Sequence, residues 1–266
     1  MSPEELSQRM QIAEAAARRA GAFLREQFEQ DVHLVDERLA HDIKLRLDKE
    51  TQAMIADDLL SAYPQDSFLG EEGNCGAADC QAQWIVDPID GTVNFFYGIP
   101  IFCVAIALRV EGELVLGCVY DPMQGECYQA IVGGAATCNG KVIHASPRRD
   151  MSRAVVFVGH GRHDQSGQKG MERFARISAQ VCKMRILGSA ALSLCYIAHG
   201  RMDAYVEHTL SLWDFAAAQV ILEAAGGRVD YRPRSADEVK GQIIAWNGLL
   251  PIHDALQGAS SNCDDA

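Results

Sequence analysis

The sequence predicts an α+β first half and an α/β second half, on three observations. Two amphipathic helical stretches open the chain. Short apolar segments rich in β-branched and aromatic residues then follow one another, separated by Gly- and Asp-containing turns. From Ala154 onward, strand and helix patterns alternate instead.

The first helix is expected over residues 3–30. Ser2 and Pro3 start it, Glu4 and Glu5 suit the positive end of its dipole, and Ile12, Ala16, Ala20, Phe23 and Leu24 form an apolar stripe. A second is expected from about Asp48 to Tyr63, with Ile55, Leu59 and Leu60 on one face and Pro64 as its stop. Asp48 then lies near a helix start, where a lone carboxylate ordinarily serves as an N-cap. Strands are expected at Phe68–Leu69, Trp84–Val86, Phe102–Arg109, Leu114–Tyr120 and Glu126–Ile131, with hairpin-type turns at 133–135 and at Asn139-Gly140. This half reads as helices packed on a largely antiparallel sheet.

In the second half, strands are expected at Val155–Gly159, Met184–Leu187, Ala204–Glu207, Arg228–Tyr231 and Gln242–Trp246. Helices are expected at Gly170–Val181, Ala190–His199 and Asp214–Ala225. The change of pattern places a domain boundary near 145–153, between an N-terminal α+β domain (1–150) and a C-terminal α/β domain (151–266). The loop at 160–169, with His160, Arg162 and His163, reads as exposed, and the polar tail GASSNCDDA as frayed.

With 266 residues, 48% of them hydrophobic and 23% charged, the chain can bury a substantial core. A formal net charge of -12 argues against nonspecific nucleic-acid or anionic-membrane binding, both of which need basic patches. Of nine cysteines, Cys103, Cys118 and Cys195 sit in apolar runs, as small core residues of a reducing compartment. Cys75 and Cys80 are too far apart for a CxxC site, which argues against structural zinc there. The N-terminus lacks an apolar signal core and no apolar run approaches the roughly 18 residues that span a bilayer, so a cytoplasmic location is expected.

The chemistry concentrates at Trp84–Pro100, WIVDPIDGTVNFFYGIP. An apolar run delivers Asp87 and Asp90 onto what reads as a turn, stiffened by Pro88 and loosened by Gly91, and the Thr92 hydroxyl follows. Acids carried on a buried strand are normally paired or bind metal. Oxygen ligands suit a hard divalent cation that leaves room for water and phosphate oxygens. Such ions also reconcile an acidic protein with a phosphate substrate. Three further features accompany this cluster: Gly70-Glu71-Glu72-Gly73 on a flexible loop, Leu212-Trp213-Asp214 opening an Ala-rich helix, and Gly188-Ser189-Ala190-Ala191 opening another with free backbone N–H groups.

Together these motifs resemble the inositol monophosphatase family of metal-dependent, lithium-sensitive sugar phosphatases. The likeness rests on GEEG (70–73), WIVDPIDGTVNF (84–95), VYDPMQGECYQAIVGGAATCNG (119–140), GSAALSLCYIAHGRMDAYVE (188–207) and LWDFAAAQVILEAAGG (212–227), in family order. It implies a layered αβαβα sandwich of the sugar-phosphatase type, two or three Mg²⁺ ions, a small-molecule phosphate ester as substrate, and a homodimer. Glu71, Asp87 and the Ile89 carbonyl would hold one ion; Asp87, Asp90 and Asp214 a second. Glu71 would also assist a third through water. Thr92, oriented by Asp48, would position the attacking water. The N–H groups of Gly91 and Thr92 would hold phosphate oxygens, and Gly188, Ser189, Ala190 and Glu207 would meet the sugar hydroxyls. The resemblance puts inositol-1-phosphate first, with histidinol phosphate and fructose-1,6-bisphosphate as alternatives, and a regulatory partner of the transcription machinery as the non-enzymatic reading. One departure stands out: the family's D-x-V-T-x-x-D pattern reads Asp42-Ile43-Lys44-Leu45-Arg46-Leu47-Asp48 here.

Overall fold

Helix α1 (Pro3–Glu29) opens on a capping box: the Glu5 N–H donates to Ser2 Oγ (3.2 Å), and the Ser2 N–H to Glu5 Oε2 (3.3 Å). A computed structural model describes residues 1–30, 35–38, 43–77, 80–159, 174–234 and 239–257, with 35–38 and 43–45 described by their backbone alone. The loop expected at 160–169, the start of the helix expected at Gly170, Asp42 and the 258–266 tail lie outside the described residues. A short antiparallel pair, β1 (Val35–Arg38) and β2 (Ile43–Leu45), leads into α2 (Arg46–Ala62). Because α2 starts at Arg46, Asp48 lies inside its first turn rather than at the cap.

The first sheet has eight strands: β3 (Ser67–Gly70), β4 (Gly73–Gly76), β5 (Ala82–Asp90), β6 (Cys103–Val110), β7 (Glu113–Asp121), β8 (Glu126–Ile131), β9 (Thr137–Cys138) and β10 (Lys141–Val142). Their order is β10-β9-β8-β7-β6-β5-β3-β4. Pairing is antiparallel except between β3 and β5. Residues alternate between its faces. Trp84, Val86, Val104, Ile106 and Leu108 pack on α1 and α2. Ile85, Cys103, Ala105, Ala107 and Val119 face the other way, toward the second half of the chain.

Between β5 and β6 stands α3 (Thr92–Phe96). The second sheet combines β11 (Val155–Val158), β12 (Lys183–Arg185), β13 (Ala204–Ser211), β14 (Arg228–Pro233) and β15 (Lys240–Trp246), in the order β12-β11-β13-β15-β14. β11 runs parallel to both its neighbours, and β15 antiparallel to both of its own. Helices α4 (Ala190–Ala198) and α5 (Leu212–Ala224) lie between the two sheets. α5 is apolar nearly all round, with Phe215, Ala216, Ala217, Ala218, Val220, Ile221 and Leu222 buried, as a helix sandwiched on both sides must be. It approaches the first sheet so closely that a Cβ on Gly117 would stand 2.0 Å from the Ala217 carbonyl oxygen. Ile177, in the helical stretch 174–178, and α6 (Ile252–Gln257) cover the outer face of the second sheet.

The layers are therefore α1/α2, first sheet, α4/α5, second sheet and an outer helical layer, the mixed αβαβα sandwich expected. The shared middle layer joins Ile85 and Val119 of the first half to Phe157 and Ile243 of the second in one apolar cluster.

Candidate active site

Spacing alone would put Asp87 and Asp90 on opposite faces of a strand, because three positions is an odd number in a period of two. The predicted turn is instead a continuation of β5 with a β-bulge. Asp87 pairs with Ala105 and Asp90 with Cys103, so β5 spends one residue more than β6 over that interval. The extra residue brings both carboxylates to the face of Cys103 and Ala105, which looks onto the middle helices. Pro88, which cannot donate to a ladder, sits in that bulge, where a central strand tolerates it. Gly91 follows at φ +100°, a left-handed conformation in which a Cβ would stand 2.8 Å from the Ile101 carbonyl, so glycine alone fits.

Asp90 is buried and receives four donors: Ser189 Oγ (2.5 Å), the N–H groups of Ala190 (3.2 Å) and Ala191 (2.7 Å), and the Cys103 thiol (3.6 Å). The N-terminus of α4 thus points at a carboxylate of the other half of the chain, a favourable place for negative charge. This corrects the expectation of free N–H groups at 188–191: those of Ala190 and Ala191 serve Asp90, and that of Leu192 serves Ser189 Oγ (3.3 Å). Asp87 is likewise buried and accepts the Ile89 N–H at 3.0 Å. The Thr92 hydroxyl lies 2.9 Å from the Ile89 carbonyl and 3.4 Å from Asp48 Oδ1. Asp214 stands in the first turn of α5 and accepts the Ser211 N–H (2.7 Å), capping the helix from its third position.

Electrostatically these groups form one unit. Burial pushes the Asp87 carboxyl well up, and Glu71, Asp90, Asp214 and Asp48 push it further by like-charge repulsion. Asp214 is raised by burial and then by Glu71 and Asp90. Asp90 is raised by burial against the pull of its donors. Among the described residues, no arginine or lysine pairs with Asp87, Asp90 or Asp214. A set of mutually repelling carboxylates with hard oxygen donors fits a divalent cation of the Mg²⁺ type. Glu207, on β13, is raised to about 7 by burial, bonds the Tyr205 hydroxyl and feels Asp90. Its carboxylate lies against Gly159, where a Cβ would come within 1.9 Å of Oε2.

Three supporting residues escaped the sequence reading. Gln52 clasps the acidic loop, accepting the Glu72 N–H (2.9 Å) and donating to the Gly73 carbonyl (3.1 Å). Its spacing of four from Asp48, on the same helical face, was the available signal. Asn94 donates from Nδ2 to the carbonyls of Ile101 (2.9 Å) and Leu187 (2.8 Å), tying α3 to the segment before Gly188. Cys103 entered only as a core residue. Arg38 on β1 and Lys44 on β2, basic residues beside the altered 42–48 pattern, are described by their backbone alone.

The sequence model of the inositol monophosphatase family matches residues 5–258. The chain is 35% identical to the Nus factor SuhB of Vibrio cholerae, over 97% of each sequence. It is 36% identical to an inositol-1-monophosphatase of Mesorhizobium japonicum, over 79% of this chain and 80% of that one. An inositol monophosphatase structure from Anabaena superposes with a TM-score of 0.81 at 32% identity, covering 95% of this chain and 94% of the other.

Proposed function

The chain belongs to the inositol monophosphatase family, a family of metal-dependent phosphatases, and within it we propose a Mg²⁺-dependent phosphomonoesterase for small polyol or sugar phosphates, inositol-1-phosphate first. The observation that carries this reading is the group of buried Asp87, buried Asp90 and half-buried Asp214, repelling one another, with no cationic side chain among the described residues paired to them. Glu71, Asp87 and the Ile89 carbonyl would hold one ion, and Asp87, Asp90 and Asp214 a second, with a third near Glu71. Bound there, Mg²⁺ supplies Lewis-acid polarisation of phosphate oxygens and a water of lowered pKa.

The chain's own groups do the rest. Thr92 Oγ1, whose single proton rests on the Ile89 carbonyl, accepts a proton from the attacking water as its own turns from that carbonyl to Asp48 Oδ1. Water oxygen bonds to phosphorus in line with the ester oxygen, whose bond to phosphorus breaks; the leaving oxygen takes a proton from solvent, to which Asp48 returns the one it received. Gly91 and Thr92, opening α3, present N–H groups to the phosphate oxygens. Gly188, Ser189, Ala190 and Glu207 line the sugar side, Ser189 and the Ala190 N–H acting there through Asp90. Positioning and charge stabilisation suffice in phosphoryl transfer without a protein nucleophile.

No helix among the described residues is long and apolar enough to cross a membrane, and we place the enzyme in the cytoplasm. A homodimer fits the exposed apolar side chains Tyr97, Ile99 and Ile186, which flank the segments tied by Asn94. The test is phosphate release from inositol-1-phosphate, histidinol phosphate, fructose-1,6-bisphosphate and adenosine 3′,5′-bisphosphate, with and without Mg²⁺. Strongest Mg²⁺-dependent turnover of inositol-1-phosphate is expected; another preferred substrate reassigns the sugar pocket. A second reading, a partner of the transcription machinery, is favoured by the name Nus factor carried by the Vibrio cholerae and Escherichia coli relatives. Absence of turnover on every substrate by the folded protein would promote it.

A further inference from the structure

Among the described residues, the His, Cys, Asp and Glu ligand atoms that gather within 4.8 Å of one another are not those of the acidic site. They belong to Glu126, Cys138 and His199. The fold brings them together from three elements. β8 pairs with β9 so that Tyr128 stands opposite Cys138, and His199 caps the C-terminus of α4 over that edge. His199 Nδ1 is buried without a hydrogen-bond partner, a state that buried polar atoms rarely keep without reason. Its ring is held edge-on to Tyr128, with centroids 5.9 Å apart.

We propose that Glu126, Cys138 and His199 form a zinc-binding site at the C-terminal end of α4, separate from the acidic cluster. The donor set decides the metal. One sulfur, one imidazole nitrogen and one carboxylate oxygen suit Zn²⁺, whereas Mg²⁺ wants oxygen alone. Zinc bonds of about 2.0–2.3 Å in a tetrahedron put ligand atoms roughly 3.3–3.8 Å apart, so small side-chain rotations close the present spacing. The fourth position is left to water. Ligating carboxylates are ordinarily fixed by outer hydrogen bonds, and Glu126 already has them: Oε2 accepts from Tyr128 Oη (2.6 Å) and Arg201 Nη1 (2.7 Å), and Oε1 from Arg201 Nη2, which leaves Oε1 a lone pair for a metal. The Arg201 charge beside it opposes a second cation and keeps the affinity below that of a structural zinc site. Binding sends the Cys138 thiol proton to solvent and forms the zinc–sulfur bond. Ser189 and His199 flank α4, so the site stands about 15 Å along the helix axis from the end that serves Asp90.

The test uses the full-length protein in saturating Mg²⁺, with Co²⁺ as a spectroscopic probe and Zn²⁺ as competitor. One equivalent of Co²⁺ is expected to give a thiolate charge-transfer band that Zn²⁺ abolishes. Cys138→Ser should remove the band, and His199→Gln should weaken Zn²⁺ binding at least tenfold, both with unchanged circular dichroism. Asp87→Asn, which alters the acidic site, should keep the band. A band that survives Cys138→Ser, or one lost in Asp87→Asn but not in Cys138→Ser, would overturn the proposal. Should Cys138→Ser fail to fold, unchanged zinc affinity in the half-exposed His199→Gln would overturn it as well.

Discussion

Asp66 and Asp203 are buried as completely as Asp87 and Asp90, yet they keep different company. Asp66 pairs with the guanidinium of Arg9 and accepts the Trp84 indole N–H at 3.0 Å. Asp203 receives Arg148 (2.7 Å), the Val155 N–H (2.8 Å) and the Ser146 hydroxyl. In both, the chain supplies its own cation, and the acid serves the fold. Among the described residues, Asp87 and Asp214 face mainly other acids, and Asp90 has dipolar donors only. Burial is common to both regions; compensation is what separates a structural acid from one kept for an external cation.

Substitution at each region should therefore have opposite consequences. The largest effect expected is on catalysis: Asp87→Asn should abolish phosphate release while leaving the urea midpoint unchanged or higher, since it relieves repulsion. Near-normal turnover at saturating Mg²⁺ would break the comparison. Asp66→Asn should do the reverse, destabilising the protein by about 3–5 kcal/mol by stranding buried Arg9, with activity per folded molecule retained. Denaturant unfolding alongside active-site titration separates the two. Thr92→Ala should lower kcat by roughly 10²-fold or more with little change in KM if its hydroxyl handles the water's proton; a change confined to KM would make it a binding residue.

The pH dependence sharpens the contrast further. Burial raises Glu207 from the ordinary 4.5 to about 7. A carboxyl whose folded value exceeds its unfolded one contributes stability that is complete below the lower value and lost as pH rises through the higher one. The cation-free protein should thus lose stability between about pH 4.5 and 7, by at most about 3 kcal/mol from this group. Raised Asp87 and Asp214 act in the same direction. Glu207→Gln should flatten the profile, and thermal melts across that range at zero and saturating Mg²⁺ would show it. The smallest effect expected is Ser189→Ala, about 1 kcal/mol, from loss of an N-cap that also donates to Asp90.

Much of this arrangement was readable along the chain because its causes are local. The Ser2–Glu5 capping box, the apolar stripe of α1 and the strands around Trp84, Ile106 and Leu116 follow from patterns a few residues long. Strands β1, β2, β4, β9 and β10 were missed, as was α6; these are short pieces with no apolar period of their own, and β4 lies exposed at an edge. β13 runs four residues beyond the expected Glu207 to meet α5 directly at Ser211. His208 and Thr209, polar residues there, interrupt the strand pattern.

The order of residues along the chain reveals the kind of chemistry: acids, a hydroxyl and a glycine in the order Asp87, Asp90, Gly91, Thr92, with Glu71 and Asp214 in recognisable settings. It also pointed to a mixed α and β protein with an Ala-rich helix opening at Leu212-Trp213-Asp214. That Asp87 and Asp90 share a face, that α4 turns its N–H groups on Asp90, and that Gln52 and Asn94 hold the surrounding loops emerges from the folded chain alone. The reason is range. Helix caps and strand alternation are settled between near neighbours, whereas a bulge register and the approach of α4 to β5 depend on how two sheets close over the helices between them.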